Sequence, residues 1–420
     1  MKRLLLAMLS AALFAPLATT AQDLLIAGAR IHTLDDAATV IEGDLLLRDG
    51  RVAAMGPDLD APPDIPVIDG DGRPLTPALF AGIGAAGLAD VGAVADSVDS
   101  RMRELFTGRM HPEFDVRVAY NPHSSVVPVT RIEGFGYALL SAEPGDRSLA
   151  GSGGLVRLDG GYDSFEGGRV VFIDLTGRSA GAVGGSRAAH WMLLRQAFAE
   201  LGEDDAEDRA LITAAGQAAL REARDDGVFV FRVHRAGDIL QVLRFADAQG
   251  LRAVIQGGRE AWQVAGELAA AGVPVALNAL DNLPADFDSL GARLDNAALL
   301  HAAGVPVMFS GTPTPNARKL RQLAGNAVAN GMPHGAALAA LARVPAEVFG
   351  AAPRRIEEGA RADLVLWSGD PLEVTTAADL VIMGGEPDRM ESRQTLLRDR
   401  YFMPAHPLGR AYTGAPSARR

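Results

Sequence analysis

At 420 residues, with 48% hydrophobic and 22% charged residues, the chain has the make-up of a folded protein with one large and one smaller unit, which excludes a disordered polymer. A net charge of −12 without a basic patch argues against nucleic acid as a partner. The absence of cysteine excludes disulfides, cysteine-ligated zinc and a cysteine nucleophile together.

Residues 1–21, MKRLLLAMLSAALFAPLATTA, read as a secretory signal. Lys2 and Arg3 form the charged start, an apolar run follows from Leu4 to Leu17, and Thr19 and Ala21 are small residues placed for cleavage before Gln22. The run is short for a membrane span, so the expectation is export to the periplasm of a Gram-negative bacterium, or secretion; a retained anchor is the alternative. The expected mature chain has no membrane span.

Residues 22–75 hold short alternating apolar segments, such as DLLIAGARIHTL and GDLLLRDGRVAAMG, with Asp-Gly turns at 49–50 and 71–72. From residue 76 the period changes. Strands are predicted at 168–175, 227–233, 251–257, 273–279 and 305–311. They alternate with helices at 186–201, 236–250, 259–272, 294–304 and 320–331. Repeated strand–helix units imply a parallel sheet with helices outside, and residues 76–354 match the length of a (β/α)8 TIM-like barrel. A doubly wound open sheet is the alternative, but no phosphate-binding glycine fingerprint follows any strand. The glycine-rich GGLVRLDGG and AGAVGG read as loops. Strand-and-turn text returns in 355–403, and residues 404–420 form a tail. The expected fold class is α/β. Its barrel is flanked by a discontinuous β-sandwich built from 22–75 and 355–403.

The opening LLIAGARIHTLDDAATVIEGDLLLRDGRVAAMG and the late EEGARADLVLWSGDPLE resemble the bracketing β-sandwich of the amidohydrolase superfamily, in its imidazolonepropionase-like branch. AYNPHSSVVPVTRIEGFGYALLSAEPG (119–145), VHRAGDILQVLRFADAQGLRAVIQGG (233–258) and GMPHGAALAALARVPAEVFG (331–350) extend the resemblance along the chain in order. It implies a hydrolase of C–N bonds. Zinc or another divalent cation at the C-terminal mouth of the barrel would activate water.

The ligand positions implied by that resemblance are substituted. In PLTPALFAGIGAAGLAD (74–90), the first-strand His-x-His pair falls on Ile83 and Ala85. The fifth-strand ligand falls on Arg232 and the sixth near Gly257. The eighth-strand Asp falls among Gly311, Thr312 and Pro313. A bridging carbamylated lysine is excluded for every strand before the last, since the chain has only Lys2 and Lys319.

Of the histidines, His32 and His406 lie outside the barrel segment, His190 and His301 fall in helical text and His334 precedes a helix. Only His111, His123 and His234 are left to meet at the mouth. His234 is two residues beyond Arg232, so strand alternation puts both on one face. Arg232 repels a cation and attracts an anion. It is expected to pair with an acid such as Asp238 or Glu143, or to clamp a small anionic ligand. The expected binding residues are therefore Arg232, His234 and His123, with no catalytic or metal residue and no cofactor. The expected function is that of an exported, metal-independent pseudoenzyme that partners an active amidohydrolase relative or itself, or binds a ligand. The alternative is an active hydrolase of a cyclic amide or peptide-like C–N bond.

Overall fold

The structure, a computed structural model, describes residues 23–60, 62–102, 110–143, 148–181, 184–202, 211–311 and 316–402. The expected signal, the whole tail with His406, and the positions Thr312 and Pro313 lie outside these residues. Among the described residues no helix is long and apolar enough to cross a membrane.

The chain starts with strands β1 (Leu24–His32), β2 (Val40–Arg48) and β3 (Arg51–Gly56), joined antiparallel. The turn between β2 and β3 is the Asp49–Gly50 pair, and both residues take the positive φ that a tight hairpin needs. Strands β4 (Val67–Asp69) and β5 (Pro74–Pro77) then lie parallel to β1.

The barrel sheet follows. It comprises β6 (Leu79–Gly84), β7 (Phe135–Leu140), β8 (Leu149–Arg157), β9 (Phe165–Asp174), β10 (Val228–Val233), β11 (Ala253–Gly257), β12 (Val275–Leu277) and β13 (Val307–Phe309), paired in chain order. Its two ends approach each other, since a Cβ built on Gly82 of β6 would stand 4.0 Å from the Phe309 carbonyl oxygen of β13. The result is a nearly closed eight-stranded barrel.

The barrel departs from eight repeated β/α units. Strand β8 runs antiparallel to both β7 and β9, and among the described residues no helix joins the three. GGLVRLDGG, expected as a loop, supplies residues 153–157 of β8. The glycines that disguise this strand let it pack. A Cβ on Gly153 would lie 2.0 Å from the Leu140 carbonyl oxygen. Strand β8 is absent from the periodicity reading for this reason.

Helix α1 (Val126–Arg131) precedes β7. After β9 come the one-turn helix α2 (Gly177–Ala180), then α3 (Arg187–Ala199) and α4 (Ala214–Asp226). Helix α5 (Ala236–Gln249) follows β10 and ends at Gly250 in the left-handed conformation. Helix α6 (Ala265–Ala271) follows β11, and α7 (Asn296–Ala302) follows β12. Helices α8 (Lys319–Ala329), α9 (His334–Leu341) and α10 (Arg343–Val348) follow β13.

Alternation along the strands divides two cores. Phe229, Phe231 and Val233 of β10 face the outer helices with Leu220, Val242 and Phe245. Val228 and Val230 face the lumen with Phe80, Phe172, Val254, Ala276 and Met308. The lumen is thus a packed interior, as barrels of this size are.

The last strands are β14 (Leu364–Trp367), β15 (Ala378–Met383) and β16 (Glu386–Pro387), before helix α11 (Arg393–Tyr401). Strand β14 pairs antiparallel with β5, so the two terminal segments form one sheet. This pairing carries the first sheet through Pro77, two residues beyond the boundary read from the sequence. The sheet has its own core, including Ile26, Leu45, Leu75, Leu364 and Ile382. Trp367 ties it to the barrel by standing over Gly134, and its indole N–H donates to Thr76 Oγ1 of β5, within the same sheet, at 2.9 Å.

Gly153→Ala is expected to destabilise the protein by about 3 kcal/mol in urea unfolding, through overpacking against β7. Gly237→Ala, where a Cβ meets nothing within 4 Å, is the matched control and is expected to change stability by under ~1 kcal/mol. Equal effects of the two would show that β8 does not need its bare backbone.

Candidate functional site at the barrel mouth

Strand register builds the mouth. Arg232 of β10 pairs with Asp174 of β9 on one side and Gln256 of β11 on the other. Val228 and Val230 face the lumen, so Arg232 faces it as well. The same alternation takes β11 through Val254 to Gln256 and β13 through Met308 to Ser310. A row of side chains from successive strand ends therefore closes the lumen above an apolar layer.

Asp174 is the anchor of this row. It is only 6% exposed. One carboxylate oxygen accepts from the Thr176 backbone N–H at 2.9 Å and from the Thr176 and Ser179 hydroxyls at 2.7 Å each. The other faces Arg232 Nη1 at 3.4 Å. Gln256 Oε1 accepts from Arg232 Nε at 3.4 Å. The partner of Arg232 is thus Asp174, not Asp238 or Glu143. Asp238 lies on α5 and pairs with Arg187 at 3.1 Å, while the backbone N–H of Glu143 donates to Ser100. A neighbouring strand in register brings the acid closer than either of those segments can.

Behind Asp174 a hydrogen-bonded chain continues inward. Ser179 Oγ lies 3.4 Å from His190 Nε2, and His190 Nδ1 lies 2.6 Å from Ser148 Oγ. His190 is 1% exposed, and burial lowers its pKa, which keeps the ring neutral. Helical text had set His190 on the outside of the barrel. Instead α3 turns this residue inward. Ser148 has no exposed surface, so this chain orients Asp174 and presents no nucleophile to solvent. Neither Asp174 nor Ser148 was among the sequence candidates. The one local signal was Thr176-x-x-Ser179, a helix-capping pattern next to the acid.

His234 follows β10, whose pairing ends at Val233, so the alternation that would align it with Arg232 stops one residue short. Its ring fills space left open at Gly257, where a Cβ would fall 2.4 Å from Cε1. The space beside Arg232, about 10 Å³, is bordered by Asp174, Val230 and Gln256, and His234 is not among its lining residues. Burial first, then the Arg259 guanidinium, push the His234 pKa down to about 4. His123 is exposed and stands edge-on to Tyr162, while His111 Nδ1 meets Glu113 at 3.0 Å.

Among the described residues no group of three or more His, Asp or Glu side chains is arranged to hold a metal ion, so His111, His123 and His234 are not gathered into one. Ile83 and Ala85 are apolar and buried. Arg232 offers only donors. At the sixth strand the lumen-facing residue is Gln256 rather than Gly257. At the eighth it is Ser310, whose buried hydroxyl has no partner among the described residues. This donor set does not fit zinc, which takes imidazole, carboxylate or thiolate, because the one carboxylate in the row, Asp174, is already engaged by Thr176, Ser179 and Arg232.

The low pKa of His234 predicts a pH effect. The unfolded chain takes a proton near the ordinary value of 6.5 and the folded one only near 4. Stability is therefore full above pH 6.5 and falls as pH drops toward 4. In thermal unfolding at pH 7 and pH 4.5, His234→Gln is expected to lose less Tm than the wild type. An equal loss would remove His234 as the cause.

No family model and no curated protein matches the chain. Solved structures do. An amidohydrolase from Thermotoga maritima superposes with a TM-score of 0.75 at 20% identity, covering 87% of this chain and 99% of its own. A prolidase complexed with N-methylphosphonate-L-proline gives 0.54 at 13% identity, covering 87% and 99%. A triazine hydrolase from Arthobacter aurescens gives 0.51 at 16% identity, covering 90% and 98%. Over nearly its whole described length, this chain shares the fold of solved amidohydrolases.

Proposed function

We propose that the chain is an exported protein of amidohydrolase fold whose mouth binds without metal-dependent hydrolysis. The leader 1–21 would be removed before Gln22. One observation carries the reading: a guanidinium, Arg232, faces the lumen at the fifth-strand end, where metal chemistry calls for an imidazole, and it is held there by Asp174. The half-exposed part of Arg232 suits a small anion, and an active relative or a second copy is the corresponding protein partner.

A second reading is hydrolysis of a C–N bond in a cyclic amide or peptide-like substrate. The solved neighbours favour it, since they include structures named amidohydrolase, prolidase and triazine hydrolase. On the comparisons alone this second reading has the better support; the donor set at the mouth favours the first. In the second reading the chain would need a divalent metal, as the family resemblance implies.

Elemental analysis separates them. Protein purified without chelator and dialysed against zinc is expected to hold far less than one equivalent, and to leave a panel of dipeptides and cyclic amides intact. Stoichiometric zinc, with turnover that chelation abolishes, would establish the hydrolase and overturn the binding reading.

A further inference from the structure

The end of the barrel away from Arg232 contains a ligand-sized cavity. It occupies about 720 Å³. Small-molecule sites typically measure about 300–1,000 Å³. The loops leading into β11, β12 and β13 form one wall, and α9 and α10 form the other. Val273, Val305, Met332 and Val344 supply apolar surface.

The charges in the wall are unequal in their engagement. Arg343 already pairs with Asp36 at 2.8 Å and Glu347 at 3.1 Å. Glu347 also receives Arg355 at 2.6 Å. Arg252 is different. Its guanidinium donates to one backbone carbonyl, that of Val348, at 3.3 Å, and no carboxylate pairs with it among the described residues. His301, in the last turn of α7, lines the same space. The cavity wall thus mixes apolar and polar groups and includes one guanidinium, Arg252, that no carboxylate neutralises among the described residues.

We propose that this groove is a binding site for a small organic anion with an apolar body, such as a carboxylate whose head group meets Arg252. The apolar part would lie between the β12 and β13 loops and the two helices. A guanidinium pairs with a carboxylate in a two-pronged geometry, and the apolar wall removes the rest of the ligand from water. The site is independent of the mouth and of any chemistry there.

The test uses the full-length mature protein and two probes, anilinonaphthalenesulfonate fluorescence and its displacement by decanoate. Saturable one-site binding is expected. Arg252→Gln, at an exposed position, should weaken both probes about tenfold with unchanged Tm. Ala336→Trp, which projects bulk into the cavity wall, should abolish binding. Arg244→Gln, an exposed guanidinium on α5 outside the cavity lining, should leave both affinities unchanged. Absence of saturable binding would overturn the proposal. So would binding that survives Arg252→Gln at full strength, whether or not Ala336→Trp folds, and so would binding that Arg244→Gln removes.

Discussion

The structure turns on strand register. Once β9, β10 and β11 pair as parallel neighbours, residues 174, 232 and 256 are committed to one row, and period-two alternation commits that row to the lumen. No side chain at these positions can leave without slipping a whole strand, and a one-residue slip would turn Phe229 and Phe231 into the lumen and the valines out. The packing of two hydrophobic cores therefore enforces the position of the mouth charges.

What the row contains decides what it can do. A carboxylate gripped by three donors from α2 and its cap is rigid before Arg232 reaches it. The guanidinium then sits beside an acid that cannot turn away. A half-buried ion pair of this kind contributes modestly to stability, because each charge gives up water to meet the other. Its larger effect is on character. It puts the hydrogen-bond donors of a guanidinium at the mouth, beside a buried carboxylate.

The sequence was informative where one rule dominated. Asp-Gly turns and apolar β-branched runs gave away the β2–β3 hairpin and the parallel strands from β9 to β13, because turn chemistry and period two act locally. Alternation says which residues share a face with Arg232 but not whether that face is the lumen, so its inward aspect was not legible. Nor was its partner, since Asp174 is 58 residues earlier and is brought near only by pairing. His234 misled because alternation ends with the strand. Strand β8 was hidden by Gly151, Gly153 and Gly154, which satisfy a steric demand from β7 and the 114–117 segment and leave no apolar pattern to read. His190 was hidden by the assumption that a helix faces outward all round, whereas α3 buries one side.

The joining of the two terminal segments into one sheet also sets the order in which the molecule can be completed. The bond from Trp367 to Thr76 spans 291 residues, so the partner edge of β5 is among the last parts of the chain to be made. Until β14 arrives, β5 remains an open edge next to an apolar sheet, a surface prone to wrong pairing. Contacts of such long range also slow folding, because the entropy of closing the loop is lost before the contact is gained. A formed barrel shortens that path, because its first and last strands stand side by side and hold the ends of a long chain within reach of each other.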